Sequence, residues 1–164
     1  MSVLLRAAQL SDDRPLADID FSCWSEATDP GPHWERDRAF FGPPNATAVA
    51  DVLVAVDADK PDTLLGYIKI SPTPSRYGDW YIGGLGVAPA ARRRGVAHTL
   101  VQAALCTAAS LGGNRVWLKV LSTNEPATRL YRSLGFAEVE HIRSPFPSRP
   151  GADDLRLARS ASAD

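Results

Sequence analysis

The stretch from Trp80 to Gly113 constrains this 164-residue chain more than any other. A short β-type run, Trp80–Val87, ends in Ala88-Pro89-Ala90-Ala91. Three consecutive arginines follow, Arg92, Arg93 and Arg94, and then Gly95. Beyond them Ala97, Leu100, Val101, Ala104, Leu105, Ala108 and Leu111 recur at helical spacing and make one apolar stripe. Gly112-Gly113 supplies the stop. The pattern predicts a helix from about Arg93 to Leu111 with one face on a core. Arginines at its start oppose the helix dipole, each at a cost of a few tenths of a kcal/mol. The placement makes sense if a multiply charged anion docks there. The first helical amides have no intrahelical partner and can bind phosphate oxygens. Gly95 lets a ligand approach the backbone, and Ala97 keeps the next turn small. A basic surface turn before a core helix is the plain structural alternative.

The flanking sequence sets the fold class. Val3-Leu4-Leu5 reads as an opening strand. Ser11-Asp12-Asp13 with Pro15 reads as a helix start, followed by Leu16, Ile19, Cys23 and Trp24 on one face. Asp29-Pro30-Gly31-Pro32 breaks that helix, and a second short helix is expected from His33 to Phe41. Ala48–Val56 and Leu64–Ile70 form a hairpin across the turn cluster 57–62. Arg115–Leu121, Phe136–Ile142 and Leu155–Leu157 add strands. Asn124–Leu134 reads as a helix, with Pro126 in its first turn and Gly135 past its end. The result is an α+β fold: a mixed, mostly antiparallel central sheet of about six or seven strands flanked by about four helices. No repeat or linker divides it, so residues 1–159 are expected to form a single domain and 160–164 a frayed tail.

Composition removes several function classes. Eighteen basic and nineteen acidic residues give a net charge of -1, which disfavours a nucleic-acid or anionic-membrane partner. No apolar run approaches the roughly 20 residues of a membrane span, and Met1–Arg6 lacks a signal-peptide core. Two cysteines, Cys23 and Cys106, without a framework point to a reducing cytoplasm. His33, His98 and His141 match no metal spacing. Neither the Walker pattern nor the dinucleotide fingerprint is met, since Pro89 stands where a third glycine is needed.

Two segments carry a resemblance. Val87-x-Pro89-x-x-Arg92-x-x-Gly95-x-Ala97 is similar to the acyl-CoA-binding motif of the GNAT superfamily of N-acetyltransferases. Asn124-x-x-Ala127-x-x-Leu130-Tyr131-x-x-x-Gly135-Phe136 is similar to its second motif. The resemblance covers most of the chain and implies the GNAT fold. It also implies transfer of acetyl from acetyl-CoA, with no metal, to a primary amine of a small molecule or peptide by direct attack. Backbone groups of Leu85 and Val87 would hold the pantetheine arm and the acetyl carbonyl. Amides of Arg93, Arg94, Gly95, Val96 and Ala97 would cradle the pyrophosphate, with the Arg92, Arg93 and Arg94 side chains adding charge. Asn124 would bond the pantetheine or cap its helix, and Tyr131 would be the general acid at the departing thiolate.

The resemblance also implies a base, and here the pattern departs from the family. Tyr81 stands where many members carry Glu, so Asp79 and Glu26 are the candidate substitutes. The acceptor pocket would draw on residues 21–41 and 143–154. Trp24, His33, Trp34 and Tyr81 are the candidate binding residues there. Glu26 and Asp29 suit a cation, whereas Arg143, Phe146 and Arg149 suit an anion. A monomer or homodimer is expected. Two rival readings stand: a non-catalytic acyl-CoA-binding or regulatory domain, and a protein lysine or N-terminal acetyltransferase.

Overall fold

A computed structural model of the protein describes residues 1–162. Two compact units interleave along the chain. The first comprises Met1–Cys23, Trp34–Ile70 and Gly84–Ala104. The second comprises Trp24–His33, Ser71–Gly83 and Leu105 onward.

The first unit contains β1 (Val3–Ala7), α1 (Asp13–Cys23), β2 (Val52–Asp57), most of β3 (Lys60–Pro72), the end of β4 (Asp79–Val87) and the start of α2 (Val96–Ser110). β1 pairs antiparallel with β2, and β2 with β3. The Val-rich β2 is buried along most of its length, as its β-branched residues favour. Leu16, Phe40, Val52, Val54 and Tyr67 form the centre of the core. The Tyr67 ring meets Phe40 edge-on at 4.9 Å, and its hydroxyl donates to Asp20 Oδ1 at 2.6 Å. That ring lies directly over Gly86, where a Cβ would stand 2.5 Å from Cε1. Gly86 within β4 is thus a site of close approach.

Asp12 is the buried charged residue of this unit. Arg6 donates to both its oxygens, at 2.8 and 2.9 Å, and the Gln9 amide donates at 2.8 Å. The Arg6 hydrogen bond, helped by the Gln9 amide, holds its carboxyl below the usual carboxylate range against the effect of burial. A depressed folded value means that the stabilisation is complete above the unfolded value of about 4. It is lost as pH falls through the folded value. Asp12→Asn is expected to cost about 2 kcal/mol at neutral pH and to unfold with a flatter acid limb, which urea melts between pH 2 and 7 would measure.

The second unit contains the start of β4, β5 (Arg115–Leu121), α3 (Glu125–Ser133), β6 (Ala137–Ile142) and β7 (Asp154–Ser160). β4 and β5 are parallel from Asp79–Arg115 to Ile82–Leu118. β7 lies antiparallel between β5 and β6. Seven strands therefore follow the order β1-β2-β3-β4-β5-β7-β6, with three α-helices among the described residues.

The expected mixed sheet is present, and four local expectations are corrected. No helix forms from His33 to Phe41. The amides of Phe40 and Phe41 instead donate to Asp13 Oδ1, so side-chain capping replaces helical bonds there. The cluster 57–62 closes as a two-residue turn at Ala58-Asp59, with Asp57 opposite Lys60 and its carboxylate accepting from the Asp59 amide. Residues 93–95 lie outside α2, which begins at Val96 and ends at Ser110, leaving Leu111 exposed. β7 runs to Ser160, and the buried Ala161 donates its amide to Asn114 O, so residues 160 and 161 are not the frayed tail expected there. Ala163 and Asp164 lie outside the described residues.

Candidate active site

In the first unit, β4 ends at Val87 and a 3-10 turn follows at Pro89–Ala91. Arg93 and Gly95 then adopt positive φ, 61° and 79°. That alternation turns consecutive amides toward one side and makes an anion-binding concavity. The first amide to bond back into α2 is that of Thr99, to Gly95 O at 3.0 Å. The amides of Val96, Ala97 and His98 therefore have no intrahelical acceptor. A Cβ on Gly95 would meet no protein atom within 4 Å. Gly95 is thus required by its backbone conformation, and its surroundings leave the amides approachable. Unpaired amides and a left-handed glycine at a helix start suit an anion such as a pyrophosphate.

The three arginines separate in role. Arg92 turns back into its own unit. Its Nε donates to Val87 O at 3.3 Å, and Nη2 lies 3.4 Å from Ser22 O and 3.8 Å from Cys23 Sγ. It ties the end of α1 to the end of β4. Arg93 and Arg94 are exposed beside the amides, and Arg94 Nη1 lies 3.6 Å from the Met1 sulfur. Leu85 and Val87 are half-buried, and the Val87 carbonyl already accepts from Arg92 and Cys23. Trp34 packs under the Arg38 guanidinium at 4.4 Å in this same unit.

Lys69 is a residue the sequence reading passed over. Its ammonium donates to Thr47 Oγ1 at 3.1 Å and sits 4.6 Å over the Phe40 ring. Burial pushes its pKa down, Asp20 opposes the shift, and Arg38 adds to it. The signal lay in a lysine at the end of a continuous apolar run, Leu64–Ile70.

In the second unit, Asn124 caps α3: its Oδ1 accepts from the Ala127 amide at 3.3 Å. Gly135 takes the left-handed conformation past the helix end, and the Phe136 amide returns to Tyr131 O at 3.0 Å. That return brings the Phe136 ring edge-on to Tyr131 at 5.4 Å and leaves Tyr131 only 5% exposed. No group among the described residues hydrogen-bonds the phenol. Burial pushes its pKa up, with a smaller push from Tyr81, so the hydroxyl stays protonated well beyond neutral pH.

Tyr81 is half-buried and packs on Trp117 at 4.5 Å. Burial raises its pKa, Asp154 adds to the rise and Arg156 opposes it. Asp79 is paired with Arg115 at 2.7 Å. Glu26 is exposed in the turn after α1, beyond the helix end at Cys23. His33 stacks on Trp24 at 4.5 Å with planes 6° apart, and Trp24 Nε1 donates to Gly31 O. Each unit thus brings part of the expected set together: 85–97 in the first, and Tyr81, Asn124 and Tyr131 in the second. Among the described residues no group of three or more His, Cys, Asp or Glu is placed to hold a metal. No helix among them is long and apolar enough to cross a membrane.

These features define a class. Residues 14–136 match the model of the acetyltransferase (GNAT) family, and the chain belongs to that family. It is 35% identical over 88 residues to streptothricin acetyltransferase of Streptomyces lavendulae, covering 51% of this chain and 43% of that protein. An uncharacterized protein of Mycobacterium leprae (strain TN) is 34% identical over 109 residues, which is 65% of this chain and 29% of that protein. The chain therefore spans less than half the length of either relative. A crystal structure of a Streptococcus mutans UA159 protein superposes with a TM-score of 0.78 at 25% identity, covering 99% of this chain and 100% of that one.

Proposed function

We propose that the protein is an acetyl-CoA-dependent N-acetyltransferase that modifies a primary amine of a small molecule or peptide by direct attack. The observation that carries this reading is the run of unpaired amides at the start of α2, opened by positive φ at Arg93 and Gly95, in a chain of this family. When bound, acetyl-CoA supplies the acetyl group as a thioester, and its C–S bond breaks as the amine nitrogen bonds to the carbonyl carbon. Amides from Arg93 to Ala97 bind its pyrophosphate, and the exposed Arg93 and Arg94 side chains add attraction. Arg92 supports the loop from behind through its bonds to Val87 and Ser22. The Tyr131 phenol, protonated at neutral pH, hands its proton to the departing sulfur. Asn124 orders the α3 helix that carries it.

The attacking nitrogen must shed a proton. Asp79 is engaged by Arg115 and Glu26 is solvent-exposed, so the proton leaves to water. The same fact favours a second reading, an acyl-CoA-binding module without turnover, because β4 carries no carboxylate from Trp80 to Val87. Release of free thiol from acetyl-CoA across a panel of small amines, N-terminal peptides and lysine peptides decides between them. Turnover of any class supports the transferase and names the acceptor. Tight coenzyme A binding with no amine acetylated supports the module.

A further inference from the structure

One face of the second unit gathers more cationic groups than its carboxylates offset. On β5, Arg115, Trp117 and Lys119 alternate and so share a face. Arg156 on β7 stands directly across from Lys119, a like-charged pair of the kind that weakens a sheet. Glu140 on β6 lies across from Arg156 on its other side and forms an ion pair with Nη1 at 3.2 Å. Arg156 Nε is buried with no hydrogen-bond partner among the described residues. Arg156, Arg115 and Trp117, with Arg76 and Thr73 from the β3–β4 segment, line a cleft of about 440 Å³. Asp79 offsets Arg115 and Glu140 offsets Arg156, whereas Arg76 is exposed and has no ion-pair partner among the described residues. Trp117 is fixed by its Nε1 bond to Thr73 Oγ1 at 2.9 Å, and its ring touches Tyr81.

We propose that this cleft holds an oxyanion of the acceptor, a carboxylate or a phosphate ester, between Arg76 and Arg156, with the body of the acceptor against Trp117 and its amine toward Tyr81. An anion there would lie between the Arg76 and Arg156 guanidinium groups and reduce the Lys119–Arg156 repulsion. Trp117 packs on Tyr81, and Tyr81 is near enough to Tyr131 to influence its ionisation. This inference rests on the transferase reading and names its substrate class as an amine that also carries an anionic group.

Two matched pairs test it: 4-(aminomethyl)benzoate against benzylamine, and O-phosphoethanolamine against ethanolamine. In at least one pair the anionic member should have a kcat/KM about tenfold or more above its neutral partner, and the pair that shows it identifies carboxylate or phosphate. Arg156→Met should reduce that ratio to about one, chiefly through KM, with Arg156→Lys in between. Arg76→Ala, at an exposed loop position, gives the same readout without touching the sheet. Equal use of both members by the unaltered protein, or a preference that survives both Arg156→Met and Arg76→Ala, overturns the proposal. Should no amine be turned over, calorimetry with 4-(aminomethyl)benzoate and O-phosphoethanolamine still decides. Binding lost in Arg76→Ala upholds the cleft while the transferase reading fails, and absence of binding to either compound overturns the cleft as well.

Discussion

Gly95→Glu is expected to abolish coenzyme A binding, with affinity for both coenzyme A and acetyl-CoA falling by a hundredfold or more, on the order of 3 kcal/mol. Two effects add. The substitution puts a side chain into the open space at Gly95, where no protein atom now lies within 4 Å, within the loop that carries the amides of 93–97. It also puts a carboxylate beside amides that would otherwise face phosphate oxygens, so like charges meet at close range. A side chain at φ 79° strains the backbone besides, at a cost of about 1 kcal/mol to the fold. Gly95→Ala separates these contributions, because it carries the strain but neither the length nor the charge. Calorimetric titration of both variants, after circular dichroism has shown native folding, should find Gly95→Ala weakened by less than Gly95→Glu. Coenzyme A affinity within about threefold of the unaltered protein in Gly95→Glu would remove the loop from the proposed binding site.

The sequence made the first unit's loop legible because its message is local. A glycine with positive φ, a proline-led turn and a helix whose first amides are unpaired are all consequences of residues within a dozen positions of one another. The second motif was legible for the same reason: Asn124 caps, Gly135 reverses the chain, and Phe136 packs on Tyr131. What periodicity could not supply was long-range partnership. The expected helix at 33–41 is absent because Asp13, 27 positions away from Phe40, claims the amides that would have sustained it. Arg92 looked like a third phosphate ligand, and only the placement of Ser22 and Val87 turns it into a brace. Asp79 looked like a free carboxylate until the parallel register set Arg115 beside it. The cleft around Trp117 was hidden in the same way. The alternation Arg115-x-Trp117-x-Lys119 is plain in the sequence, but its meaning depends on Arg156 and Glu140 arriving on β7 and β6.

Tyr131→Phe should lower kcat by about a hundredfold to a thousandfold while leaving coenzyme A affinity within about twofold. The phenol has a single chemical asset in this site, its proton. Burial holds the pKa above that of an ordinary tyrosine, so the group keeps its proton at every pH where the protein is handled. Its hydroxyl makes no hydrogen bond among the described residues, so removing it leaves no orphaned partner to destabilise the fold. The ring of phenylalanine keeps the edge-on contact with Phe136 at 5.4 Å. The loss therefore falls on the transition state, where negative charge grows on sulfur, and not on the ground state. The direction of the pKa shift gives a companion result. Because the phenol does not ionise near neutral pH, the unaltered protein's kcat should show no alkaline decline from Tyr131 through pH 9, and its solvent deuterium isotope effect should shrink in the variant. Single-turnover thiol release isolates the chemical step from product release. An unchanged single-turnover rate in Tyr131→Phe would show that the thiolate departs without this donor, and the proton would then have to reach sulfur from water.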